Sequence, residues 1–368
     1  MSVAETQYFA LLRSALWDTP LVIEGGMEWD AVMRIAKHHA TNVLLSGVAT
    51  QMTGDNRPSD SMLSDMQSAI RINFINHLQL RRILASAVKL LQDHNIKPVL
   101  LKGFGLAMLY PHPHLRQFGD IDLFVGLDDF HEACKLLRNL PGSYNWREEV
   151  DSGRHYNIEF GQYPMEVHRV SADFSGRKDL AVYEPIEREG LCENAQRVDF
   201  EGLELMIPSK EFMVFYTFYH AWHHFLTTGV GWRQISDVAE TLHAYHGQLD
   251  SDKLYQWITS MHLLKPWQTF GYLMVDCLGL PVDEMPFYKA SCRRRANKLF
   301  SRIMTEGNFR RPNRFKRKKP KAVGMKKLHS FIGIFVNFFQ LATLFPSQAF
   351  RGMCTALKMG FQKNFQKK

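Results

Sequence analysis

Two carboxylates sit two residues apart in a run that otherwise reads as a buried strand: Asp120 and Asp122 in "RQFGDIDLFV", residues 116–125. Strand side chains repeat with a period of two, so this pair projects from one face, and Ile121, Leu123 and Val125 take the other. Like charges so placed repel, and Asp is depleted in strands, so the pair costs stability unless a positive group lies between them. A divalent cation meets that need. A solvated edge strand with a charged outer face is the competing reading.

Other residue types able to do chemistry lie nearby in sequence. "PMEVHRVS" (164–171) alternates so that Glu166 and His168 share a face, with Met165, Val167 and Arg169 on the other. His220, His223 and His224 include an HxxxH spacing compatible with zinc, but their aromatic surroundings (Phe215, Tyr219, Trp222, Phe225) favour core packing.

The elements that must position these residues follow from periodicity. Residues 1 to about 66 show apolar positions at three- and four-residue spacing, broken by the polar "TGDNRPSDS". Ile72, Ile75, Leu78, Ile83, Leu84, Ala87 and Leu91 form the apolar stripe of a longer helix, which Asn95 and Pro98 stop. "PVLLKG" (98–103) reads as a short buried strand and "GFGLAMLY" as a helix opened by glycines. The Asp120/Asp122 strand, a helix over 128–139, and strands over 155–162 and 164–171 complete a small mixed α/β unit. Ser209 is a candidate N-cap, after which helices continue to about residue 305.

This order resembles the polymerase-β-like nucleotidyltransferase superfamily, and within it the uncharacterised nucleotidyltransferase family. The resemblance rests on "VLLKGFGLAMLY" (99–110), "RQFGDIDLFV", "MEVHRV" (165–170) and the helical "FYHAWHHF…WRQISDVAETL" (218–242), and it covers roughly residues 95–260. It implies an α+β fold, a small mixed-sheet core flanked by N-terminal and C-terminal helical regions. The corresponding division is 1–66 helical, 67–205 the nucleotidyltransferase core, 206–306 helical, and 307–368 a basic tail with an amphipathic segment. Carried over by position, Asp120, Asp122 and Glu166 are the catalytic carboxylates and the ligands of two Mg²⁺ ions, with Mn²⁺ as substitute. Glu159 competes for the third place, and Glu166 is preferred. Lys102, Gly103, Gly105, Arg116, Gly119 and His168 become nucleotide-binding residues, the glycines letting backbone approach phosphate and Lys102 and Arg116 supplying charge. A surface lysine is the bland alternative for Lys102, and a merely hydrogen-bonded histidine for His168. The superfamily's usual Gly-Ser turn is Gly103-Phe104 here, so the hydroxyl is missing. Trp232, Arg233 and Asp237 match the helical signature and are expected to brace the second domain or line the cleft.

At 368 residues, with 45% hydrophobic and 12% aromatic composition, the chain has ample core for one large or two ordinary domains. Five scattered cysteines without CxxC argue against a disulfide framework or a zinc site. They suit a reducing cytosol, and the N-terminus reads as an amphipathic helix without a secretory signal. Charge is uneven: residues 307–368 hold 15 Lys and Arg and no Asp or Glu, leaving 30 basic against 37 acidic residues in 1–306, a net of −7. The apolar stretch within the tail, 331–345, is short for a membrane span and interrupted by Asn337 and Gln340. Three readings compete for the tail: peripheral contact with an anionic membrane at the inner face, packing on the body, and nucleic-acid binding.

The resemblance thus implies transfer of a nucleoside monophosphate from an NTP, ATP among the candidates, to an acceptor hydroxyl or phosphate. The acceptor stays open between sugar, lipid-linked sugar, protein and RNA, with surface-polysaccharide metabolism as the setting. The alternatives are an RNA- or protein-modifying enzyme of toxin–antitoxin type and a non-catalytic nucleotide-binding regulatory module.

Overall fold

A computed structural model describes residues 1–23, 25–148, 154–172, 177–308, 338–339, 341–351 and 353. Seven strands form one mixed sheet: β1 (Val99–Leu100), β2 (Ile121–Phe124), β3 (Ser143–Glu148), β4 (His155–Phe160), β5 (Tyr163–His168), β6 (Gln196–Phe200) and β7 (Leu203–Ile207). Their spatial order is β3-β4-β5-β2-β1-β7-β6. The pairs β2/β5 and β1/β7 are parallel, and the others antiparallel. The α+β architecture expected from the sequence is the one observed.

Three helices precede the sheet: α1 (Val3–Trp17), α2 (Trp29–His38) and α3 (Asn42–Ala49). The 34-residue α4 (Asp60–Asp93) then leads into β1, capped by the Ser59 side chain accepting from the Met62 N–H. Within and beside the sheet run the short α5 (Phe104–Ala107), α6 (Gly126–Arg138) and α7 (Arg177–Glu187). The helical region that follows holds α8 (Lys210–Thr227), α9 (Trp232–Ala244), α10 (Ser251–Ser260), α11 (Leu264–Leu278) and α12 (Arg293–Glu306). α1 joins the two helical regions: Phe9 packs edge-on against Trp232, and Arg13 and Trp17 donate to the carbonyls of Cys277 and Leu278.

The apolar stripe expected on α4 is corrected over its first half. Ile72, Ile75 and Leu78 are exposed, whereas Asn73 and His77 are buried. The reason is polar: the Asn73 amide donates to the His114 carbonyl, and His77 Nε2 bonds the Arg116 carbonyl at 2.9 Å. A buried loop needs its backbone groups satisfied, and here polar residues do that where the 3.6-residue period asked for apolar ones. From Leu80 onward the buried face carries Leu84, Ala87, Val88 and Leu91. α4 thus fixes the loop that delivers Arg116 and Asp120.

The β6/β7 hairpin and β3 lie outside the elements expected from sequence. Glu201 and Gly202 both take positive φ (52° and 78°), which closes the hairpin with a twist matching its strands. Of the tail, residues 309–337 lie outside the described residues, and the described part of the apolar stretch packs on the body. Phe345 is buried edge-on against Trp222 and Phe225, with Leu341, Leu344 and Ala349 buried beside it.

Candidate active site

Lys102, Asp122 and Glu166 reach one place because their strands are neighbours. β1 lies beside β2, and β2 beside β5, with Asp122 directly opposite Glu166 and Phe124 opposite His168 in parallel register. The Leu101 N–H donates to the Asp122 carbonyl, which continues the pairing one residue past β1 and sets Lys102 against the carboxylates. Asp122 is fully buried. Its Oδ1 lies 3.0 Å from Lys102 Nζ and 3.1 Å from His168 Nε2, while its Oδ2 has no partner. Lys102 also lies 3.8 Å from Asp120 and 3.4 Å from His220 Nε2. Asp120 lies one residue before β2 rather than in it, and the opposite charge that the two aspartates require is here an ammonium.

These contacts shift the titrations. Burial pulls the Lys102 pKa down, but Asp122 and Asp120 more than reverse it, so the ammonium stays charged. Burial likewise lowers and the hydrogen bonds to Asp122 and Glu166 raise His168, with a net rise. Burial alone would raise Glu166, but His168, 3.3 Å from its Oε2, together with Lys102 and His155, holds it below the ordinary carboxylate range.

A cavity of about 350 Å³ opens over this cluster, within the size range of small-molecule sites. Lys102, Gly103, Arg116, Asp120, Glu166 and His168 line it from the core, so six of the nine residues singled out in the sequence border one space. Asp122 lies beneath it. Gly105 and Gly119 do not border it: a Cβ on Gly105 would meet Leu100, Ile207 and Met213, and one on Gly119 would meet nothing. Gly103 has φ 66° and passes so close to the Asp120 loop that a Cβ would lie 3.3 Å from the Asp120 carbonyl oxygen. Its glycine character serves that approach as much as any ligand.

Arg116 has another engagement than phosphate. Its Nε and NH2 clamp the two oxygens of Asp237 on α9 at 2.6 and 2.9 Å, and NH1 donates to the Gly103 carbonyl. The Tyr110 hydroxyl completes the set at 2.7 Å from Asp237 Oδ1. This buried bidentate pair ties the sheet to the helical region, the bracing role expected of Asp237. Trp232 is fully buried.

The opposite wall is α8, and the sequence reading missed it. His220, His223 and His224, expected to pack in the core, border the cavity with Tyr216 and Tyr219. His220 and His224 face each other at 3.2 Å between Nε2 atoms. Burial, then Lys102, lowers both, His224 to about 4, so they are neutral at physiological pH. The aromatic flanks of α8 concealed this wall, because an i, i+3, i+4 histidine set reads equally well as packing.

Two donor sets bear on metal binding. Among the described residues, the one three-residue group of clustered donor atoms is His155, Glu166 and His168. The nitrogens that face Glu166 are already committed: Arg154 Nε donates to His155 Nδ1, leaving the proton on the Nε2 that faces Glu166, and His168 Nε2 lies between two carboxylates. The oxygen donors of Asp120, Asp122 and Glu166 suit a hard divalent cation better, and Asp122 Oδ2 is a buried acceptor with no partner.

The sequence of this chain matches the family model described as "Uncharacterised nucleotidyltransferase" over residues 25–279. No curated protein matches it. Among solved structures it is similar to a solution structure of the antibiotic-resistance factor ANT(2'')-Ia at 14% identity and TM-score 0.36, covering 50% of this chain and 92% of that one. It is similar also to a crystal structure of ANT(2'')-Ia in complex with adenylyl-2''-tobramycin, at 14% identity and TM-score 0.35, covering 50% and 95%. The family match spans more than two thirds of the chain and takes in every residue of the cavity wall named above: this chain belongs to the uncharacterised nucleotidyltransferase family and is an enzyme of the nucleotidyltransferase class.

Proposed function

We propose that the site transfers a nucleoside monophosphate from an NTP to an acceptor hydroxyl, with Asp120, Asp122 and Glu166 holding two Mg²⁺ ions. The observation that carries this reading is Asp122: fully buried, facing Glu166 in register, with one oxygen between Lys102 Nζ and His168 Nε2 and the other unpartnered beneath a cavity. Such a carboxylate is costly to keep unless a ligand completes it.

Bound at these carboxylates, a divalent cation would neutralise phosphate charge and activate oxygen as a Lewis acid. The chain's own groups supply the rest. Lys102, the ammonium beside Asp122, is placed to follow negative charge from carboxylate to phosphate as the triphosphate enters. Glu166, ionised at neutral pH, accepts the proton of the attacking hydroxyl at Oε2. The acceptor oxygen forms a bond to the α-phosphorus, the bond from that phosphorus to the bridging oxygen breaks, and pyrophosphate leaves. His168 orients both carboxylates through Nε2. The Arg116–Asp237 pair holds sheet and helices in fixed relation around the cavity, which matters because this chemistry is mostly positioning and charge stabilisation.

For the acceptor we infer a sugar or sugar-lipid hydroxyl, in keeping with the sequence resemblance. No described helix is long and apolar enough to cross a membrane. The test is a transfer assay with each of the four NTPs, labelled at either the α- or the γ-phosphate, against panels of sugars, sugar lipids, RNA and protein. The reading expects α-label in an acceptor and γ-label in pyrophosphate, both lost with Asp122→Asn. Release of γ-label as orthophosphate would overturn it, and α-label found in RNA or protein alone would overturn the choice of acceptor.

A further inference from the structure

Three guanidinium groups border the cavity, those of Arg116, Arg154 and Arg233, and Arg154 donates to His155 Nδ1. Lys102 is paired with Asp122 and Asp120, and Arg116 with Asp237. Arg233, in the first turn of α9, borders the same space, and among the described residues no carboxylate lies within ion-pair distance of it. Its NH1 donates to the Gln117 carbonyl at 3.0 Å, which fixes where the fork sits, while its Nε is shut away from solvent with no acceptor. The neighbouring charges are close enough to matter: burial and then Arg116 lower the Arg233 pKa, Asp237 and Asp120, beyond ion-pair distance, offset this only in part, and Arg233 in turn helps lower His220 and His224. A guanidinium stays charged in a protein, and a donor shut away without an acceptor forfeits its hydration. Such a group is stable at little cost only if an anion comes to it, and the planar fork matches phosphate.

We propose that Arg233 is the clamp for the terminal phosphates of the bound NTP, the place that the sequence resemblance gave to Arg116. The assignment rests on the nucleotidyl-transfer reading and deepens it. It makes the triphosphate site a joint one, with carboxylates and Lys102 from the sheet and the guanidinium from the helical region. Because Arg116 is held by Asp237, it positions the turn at Gly103 and leaves phosphate to Arg233. A phosphate on the acceptor is the other source of the same chemistry.

Titration calorimetry on the full chain separates these. Inorganic pyrophosphate in EDTA, and NTP and NMP with Mg²⁺, are titrated into wild type, R233Q and R233K. The proposal expects R233Q to lose about 10- to 100-fold in affinity for pyrophosphate and NTP while NMP binding is unchanged, with R233K between. It also expects the ligand-free R233Q protein to melt at or above the wild-type temperature, since an unpaired cation has been removed. Should R233Q fail to fold, R233K carries the test through weakened pyrophosphate binding at an unchanged melting temperature. Equal pyrophosphate and NTP affinities in wild type and both variants would overturn the assignment and leave the acceptor as the source of phosphate. A loss shared by NMP and NTP alongside a lower melting temperature would make Arg233 merely structural and overturn it too. If the wild type binds neither NTP nor pyrophosphate, the nucleotidyl-transfer reading fails and the assignment with it.

Discussion

One turn along α9 from the Arg116–Asp237 pair, Glu240 is 1% exposed with Oε1 unpartnered, and burial, reinforced by Asp237, pushes its pKa up to about 9. In the unfolded chain a glutamate titrates near 4.5. Between those values folding takes up a proton, so this group's contribution to stability is whole below about pH 4.5. It falls by about 1.4 kcal/mol per unit as pH rises towards the folded pKa. Gln cannot ionise and keeps the shape. Melting curves of wild type and Glu240→Gln should nearly coincide at pH 4.5 and diverge steadily to pH 8.5, the variant becoming the more stable. A difference that does not change with pH would mean that Glu240 is charged in the folded protein. Single residues also show where sequence was legible. Asp120, Asp122, Glu166 and Lys102 were visible because charges on alternating, otherwise apolar strands demand an explanation. The partner that Arg116 chooses, 121 residues away on α9, was not, because no local pattern encodes a tertiary ion pair.

At the scale of elements, the described C-terminal segment around Phe345 shows what a local pattern leaves open. An apolar run beside basic residues suits a membrane surface, a nucleic-acid arm or a packed helix, and only the presence of a complementary groove decides. That groove is formed by α8, where Trp222 and Phe225 receive the Phe345 ring at centroid distances of 5.1 and 6.1 Å. The Gln348 amide, donating to the His262 carbonyl, and the Arg351–Asp179 pair fasten the same segment. Phe345→Ala should cost about 3–5 kcal/mol, the usual loss for a buried aromatic, read as a lower denaturation midpoint. An unchanged midpoint would free this face for another partner. Other elements were partly legible. β2, β5 and the helices from Lys210 onward carry strong periodicity, whereas the β6/β7 hairpin is short and turns on Glu201-Gly202 rather than on a stronger turn pair. The outer half of α4 misled because Asn73 and His77 face inward to bond carbonyls of the loop before β2.

Across the whole molecule, charge and architecture converge on one cavity. The sheet brings three carboxylates and an ammonium to its surface, the helices close over them with histidines, tyrosines and a guanidinium, and the Arg116–Asp237 pair locks the two together. The central claim is that the buried aspartate exists to complete a metal–nucleotide site. Its most direct test is calorimetric binding of each NTP, with Mg²⁺ and with EDTA, to wild type and Asp122→Asn, with melting curves to show that both are folded. The account predicts that one NTP binds the wild type at least about 10-fold more tightly with Mg²⁺ and that the variant loses this enhancement. Equal metal-dependent binding by a folded Asp122→Asn protein would contradict it.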